Sequence, residues 1–271
     1  MQRATHYCSS VINRHLVLCF LAILAISSPA AARDAESPVD IAQVFLQANQ
    51  AYKEADYQSA AVYYEKIIGA GVVNGEIFYN LGNAYLKAGK VGNALLNYRK
   101  AELLMPRSED LETNLQYAFE LTTDKIECKE LVIVLKNFCF WYAKLTTGEL
   151  RNLFLLVNFI FWALLAVRIF LKGEMYAIAL YVVMFCTIVL GASYGLKFYN
   201  THIQLSGIVL AKEIMVRSGD SINDTVLFKL HEGAEVAWGE EHADWIKIAL
   251  CDGKKGWVQK EAVGKIQGWA Q

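Results

Sequence analysis

The chain has 271 residues, 55% of them apolar and 20% charged, with 3 prolines and a mean hydropathy of +0.26. That composition excludes a disordered tail and a collagen-like fibre, and the apolar excess predicts that part of the chain lies in lipid. With 26 basic against 27 acidic side chains the net charge is -1, so no positive field awaits a phosphate backbone and nucleic acid is not an expected partner.

Residues 1–32 have the layout of a secretory signal. Arg3 and Arg14 flank the start of an apolar run from Leu16 to Ile26, and Ala30-Ala31-Ala32 offers the small side chains of a cleavage site. The run is too short to cross a bilayer, so cleavage before Arg33 and export of the remainder are expected. The six cysteines are too scattered for a disulfide framework, and no C-x-x-C pair is present for zinc or redox chemistry.

Residues 33–123 repeat at a spacing of 34. The clearest copy runs Phe78-Tyr79-Asn80-Leu81-Gly82-Asn83-Ala84-Tyr85, then Ala94, Tyr98, Ala101 and Pro106. These residues resemble the tetratricopeptide repeat, in which small residues let two antiparallel helices approach and the proline ends the second. An earlier, looser copy has Val44, Ala48, Ala51, Ala60, Tyr64 and Ile67, and Glu112, Leu115, Gln116 and Phe119 supply one capping helix. The resemblance implies a groove lined by the first helix of each repeat. Asn49, Asn80, Asn83 and Asn114 fall on that surface, with Phe45, Tyr52 and Tyr79 beside them. Amides suit an extended peptide backbone because each both donates and accepts. Asparagine is also common at these positions of any such repeat, so the ladder predicts a usable groove and leaves its ligand open. A carboxylate clamp would need bases where this chain has Phe45, Asp110 and Asn114.

Over 124–146, Leu131, Val134, Leu135, Phe138, Trp141, Tyr142 and Leu145 fall on one helical face. They predict an interfacial helix on the outer leaflet, or alternatively one packed on the preceding domain. Cys128 and Cys139 are compatible with a disulfide in an oxidising compartment and with two free thiols. Apolar runs at 147–171 and 175–196 each match the hydrocarbon thickness, and Thr146-Thr147-Gly148-Glu149 has capping-box spacing. Only residues 172–174 separate them, so they predict a hairpin with both soluble flanks on one side. The signal places those flanks outside the cell membrane and leaves the turn, near Arg168 and Lys172, in the cytoplasm. Cys186 falls within the second run and reads as a small hydrophobe.

Short alternating segments separated by glycine then predict strands. Val216-Arg217-Ser218-Gly219, Glu232-Gly233, Trp245-Ile246-Lys247-Ile248 and Gly256-Trp257-Val258 resemble a bacterial SH3-like domain over 203–266. Trp245 and Trp257 suit a platform for a peptide or glycan strand; packing in a barrel core is the favoured expectation for both. His202, His231 and His242 stand in no metal-ligand pattern, and turns and strands account for Cys251 and His242 without a nucleophile and base. No enzyme motif is present, so no catalytic residue, metal or cofactor is expected.

The expected fold is therefore multidomain α plus β: a tetratricopeptide-repeat α-solenoid, a two-helix transmembrane hairpin and a small SH3-like β-barrel. This order of segments resembles the BatE-like family, the tetratricopeptide proteins of the bacterial aerotolerance (Bat) operon. The resemblance implies a multi-pass inner-membrane scaffold with periplasmic domains. It would work beside von Willebrand factor A-type membrane proteins and a MoxR-type ATPase in envelope integrity or oxidative-stress tolerance. A second expectation, from a different class, is an envelope protein that holds peptidoglycan through its SH3-like domain.

Overall fold

A computed structural model describes residues 40–126, 140–170, 173–203 and 205–267. The signal at 1–32, and residues 127–139 of the expected amphipathic helix with Cys128 and Cys139, lie outside the described residues. The architecture is α plus β, with two helices of membrane-spanning length between a helical array and an antiparallel sheet.

Five helices open the array: α1 (Ile41–Lys53), α2 (Tyr57–Gly69), α3 (Gly75–Lys87), α4 (Val91–Leu104) and α5 (Glu109–Glu120). Polar caps fix four of their starts. The side chains of Asp40, Asp56, Asn74 and Ser108 accept from the backbone N–H groups of Gln43, Ser59, Glu76 and Leu111. The corner between α1 and α2 is Ala55 at φ 61, and the corner between α3 and α4 is Gly89 at φ 75. The same left-handed turn thus recurs, with glycine free of the strain that alanine carries. Between the helices, Gly82 lies so close to Tyr98 that a methyl group there would sit 2.5 Å from the ring. Ala48, Ala60 and Tyr64 take the same places in the first pair, all buried.

A short helix, α6 (Phe140–Lys144), leads into α7 (Thr147–Phe170), and α8 (Glu174–Phe198) runs on into a π-helical turn at Tyr199–Ile203. Two segments, Thr147–Ile169 and Glu174–Thr201, are long and apolar enough to cross a membrane. The second continues past the expected end at 196. Thr146 and Glu149 form both halves of the capping box: Glu149 N–H donates to Thr146 Oγ1, and Thr146 N–H donates to Glu149 Oε2 at 2.8 Å. Gly191 faces Phe154, whose ring stacks on Tyr194.

The strands are β1 (Ser206–Val209), β2 (Glu213–Arg217), β3 (Val226–His231), β4 (Glu235–His242), β5 (Trp245–Ala249), β6 (Lys255–Gln259) and β7 (Val263–Lys265). They form a 7-stranded antiparallel sheet in the order β3-β2-β6-β5-β4-β1-β7. The sheet does not close into the expected barrel, because its edges β3 and β7 do not pair. Edge strand β7 meets α4 instead, where a Cβ on Gly264 would lie 2.5 Å from Leu96. Ile246, Ile248 and Val258 point into the sheet core with Trp238. Alternation then puts Trp245 and Trp257 on the opposite face, half-buried. Core packing, the favoured expectation for these two tryptophans, is overturned: the phase of β5 is set by Ile246 and Ile248 and that of β6 by Val258.

The array and the sheet, the one ending at Glu120 and the other starting at Ser206, share a core. Ile208 and Ile266 belong to the same buried cluster as residues of α1 to α5. Around that contact, Gly92 N–H donates to Glu232 Oε1 at 2.8 Å, and Arg99 bridges Glu235 at 2.8 Å and Glu102 while lying over the Phe119 ring. Burial alone would lower the Arg99 pKa, but the carboxylates of Glu235 and Glu102 outweigh it and raise it. Asp124 accepts from the His231 backbone N–H at 2.6 Å and meets the imidazole Nδ1 at 2.9 Å.

Candidate functional site

The face built by α1, α3 and α5 carries the residues expected to line the groove. Two hydrogen bonds repeat one repeat length apart. Tyr64 Oη donates to Asn49 Oδ1 at 2.6 Å, and Tyr98 Oη donates to Asn83 Oδ1 at 2.7 Å. Asn114 Nδ2 donates both to Tyr79 Oη, at 2.9 Å, and to Asn83 Oδ1, at 3.0 Å. Phe45 stands edge-on to Tyr64, and Tyr79 is tilted against Tyr98 at 6.0 Å. Tyr52 packs on Tyr57.

Burial pushes the Tyr64 phenol up to about 12 and raises Tyr98 as well, with neighbouring phenols adding to both shifts. These hydroxyls therefore remain protonated donors at neutral pH. Asn49, Asn83 and Asn114 are thus already engaged by the array itself, and their first duty is to hold paired helices in register. Asn80 differs. It is half-buried on α3, and its side chain makes no hydrogen bond among the described residues. Leu46 occupies the same place one repeat earlier and is 67% exposed. Sequence reasoning took Tyr64 and Tyr98 as repeat packing residues without their bonds to the groove amides, and it passed over Leu46, which the same 34-residue spacing marks.

On the sheet, Trp257 pairs across strands with both Lys247 and Arg217, and Lys247 Nζ lies 5.8 Å from the centre of its ring. Trp245 pairs with Gln259 in the same register. His242 pairs with Asp220 on the surface. Cys251 is disulfide-bonded. A Cys251 nucleophile with His242 as its base is therefore not the arrangement found. Among the described residues no group of three His, Cys, Asp or Glu side chains is placed to hold a metal.

The array also reaches the hairpin. Arg107 forks onto Glu149 at 2.8 and 3.1 Å and touches the Lys144 carbonyl, while Glu112 lies 3.7 Å from Lys144. Lys197 Nζ, near the end of α8, donates to the carbonyls of Tyr142 and Leu145. Neither a protein family nor a curated protein matches the sequence.

Proposed function

We propose that the chain is a non-enzymatic, membrane-anchored adaptor that binds a partner protein along the face of α1, α3 and α5. In this reading the helix pairs are tetratricopeptide repeats, and the sheet is an open variant of an SH3-like module. The observation that carries it is Asn80: an accessible amide set among side chains that are already locked together, so that a bound segment meets a site with little left to order. The disulfide at Cys251 supports an oxidising compartment for the sheet. Array and sheet share a core, which supports placing both on the periplasmic side of an inner membrane. The BatE-like resemblance names von Willebrand factor A-type membrane proteins as the partners, within a complex serving aerotolerance or envelope integrity.

Asn80→Ala tests the groove without touching the network of Asn83 and Asn114. Loss of one net hydrogen bond, about 0.5 to 1.5 kcal/mol, should weaken recovery of partners from detergent extracts roughly twofold to tenfold at unchanged helicity. Equal recovery would remove the groove as the binding surface.

The outward face of Trp245 and Trp257 favours the second reading, a peptidoglycan-binding protein, because aromatic planes flanked by Lys247 and Arg217 suit a sugar strand bearing carboxylates. The adaptor reading expects Trp257→Ala to keep the parent's retention on purified sacculi. A drop of tenfold or more with an unchanged melting curve would favour the cell wall.

A further inference from the structure

We infer that the groove selects a proline-rich segment in the polyproline II conformation, an inference that rests on the adaptor reading above. The hydrogen bonds along the face leave donors in excess. Tyr64 and Tyr98 are buried and donate, so the amide oxygens of Asn49 and Asn83 are each committed to a phenol. Asn83 Oδ1 accepts from Asn114 Nδ2 as well. At both asparagines this leaves Nδ2, a donor without a hydrogen-bond partner among the described residues. Tyr79 Oη accepts from Asn114, so its own O–H is a third donor. Asn114 Oδ1 and Asn80 Oδ1 are the amide acceptors that remain.

An ordinary extended chain brings one N–H for every carbonyl, and N–H groups facing these donors would go unpaired. Proline has the carbonyl without the N–H, so a proline-rich segment matches a face rich in donors. Spacing favours the same conformation. Asn49 and Asn83 take equivalent places on α1 and α3, which adjoin: burial raises the Tyr52 pKa, and the phenols of Tyr57 and Tyr79 add to the shift. Helices in contact lie about 8 to 10 Å apart. Carbonyls along one edge of a β-strand recur at every second residue, about 6.6 Å, which is too short. Equivalent carbonyls of polyproline II recur at every third residue, about 9.3 Å, and fall within that range. Phe45, Tyr52 and Tyr79 supply aromatic surface for proline rings, and Tyr117, 34 residues after Asn83 and 54% exposed, continues the row. None of these side chains is charged, so an acidic or phosphorylated segment would gain no ion pair from them.

Fluorescence anisotropy of fluorescein-labelled decaproline, titrated with the full chain in detergent, tests this against a decapeptide of alternating alanine and serine. The expected result is a Kd for decaproline at least fivefold below that for the control peptide. Asn49→Asp and Asn83→Asp each keep the oxygen that accepts from the tyrosine and replace the outward N–H by an acceptor. Each should weaken decaproline binding at least fivefold at an unchanged melting curve, whereas Val62→Asp, exposed on α2, should leave it within twofold of the parent. Equal affinity for the two peptides, no binding of decaproline, or binding indifferent to both aspartates would overturn the proline-rich assignment. Asn80→Ala keeps the two readings apart. If it lowers partner recovery from detergent extracts while decaproline fails to bind, the groove stands and its ligand class falls; if it too has no effect, the adaptor reading falls with it.

Discussion

Tyr98→Ala should unfold the helical array at moderate temperature, with a loss of about 3 to 5 kcal/mol. Tyr98 is fully buried, fills the space that Gly82 leaves open, and donates to Asn83. Its removal leaves a cavity between α3 and α4 and also frees the amide oxygen that Asn114 shares. Tyr98→Phe separates the two effects: it keeps the ring and loses one hydrogen bond, about 0.5 to 1.5 kcal/mol. Thermal melts of the full chain in detergent, followed by circular dichroism at 222 nm, measure both. A melt for Tyr98→Ala within 2 °C of the parent would contradict the packing described.

The junction between array and sheet gives the second large effect. Gly233 and Gly253 both hold positive φ, at 89° and 97°, so alanine strains the backbone at either place, by about 1 to 2 kcal/mol. At Gly253 the new methyl meets nothing, whereas at Gly233 it would lie 2.5 Å from Thr122 Cγ2 and 3.0 Å from Leu95. Gly233→Ala should therefore cost about 1 to 3 kcal/mol more than Gly253→Ala. Equal melting temperatures for the two variants would mean that the array and the sheet are not packed together in solution.

Local patterns in the sequence foretold the elements well. The 34-residue spacing located α1 to α5 and the small residues between them. The Thr146 to Glu149 spacing gave the start of α7, and uncharged length gave both long helices. These signals are local, set by helix periodicity and by backbone groups that must find partners nearby. The misplaced features depend on the phase of a strand or on contacts between distant segments. Trp245 and Trp257 alternate with Ile246 and Val258, whose inward direction is fixed by the whole sheet. The expected barrel stays open because β7 finds α4, a partner separated from it by the entire hairpin. The amides expected to line the groove lie on α1, α3 and α5, but the tyrosine partners of Asn49 and Asn83 lie 15 residues away in the second helices, beyond the reach of a single-helix pattern.

The bond from Gly92 to Glu232 spans 140 residues and encloses the whole hairpin. During synthesis the array emerges first, with the α4 surface around Leu95 and Leu96 lacking its cover. That cover is translated only after α7 and α8. Completion of the shared core is thus a late step in folding. On the membrane-anchored reading, insertion of only one of the two helices would strand the sheet across the bilayer from α4 and leave the array with an apolar surface open to proteases and chaperones.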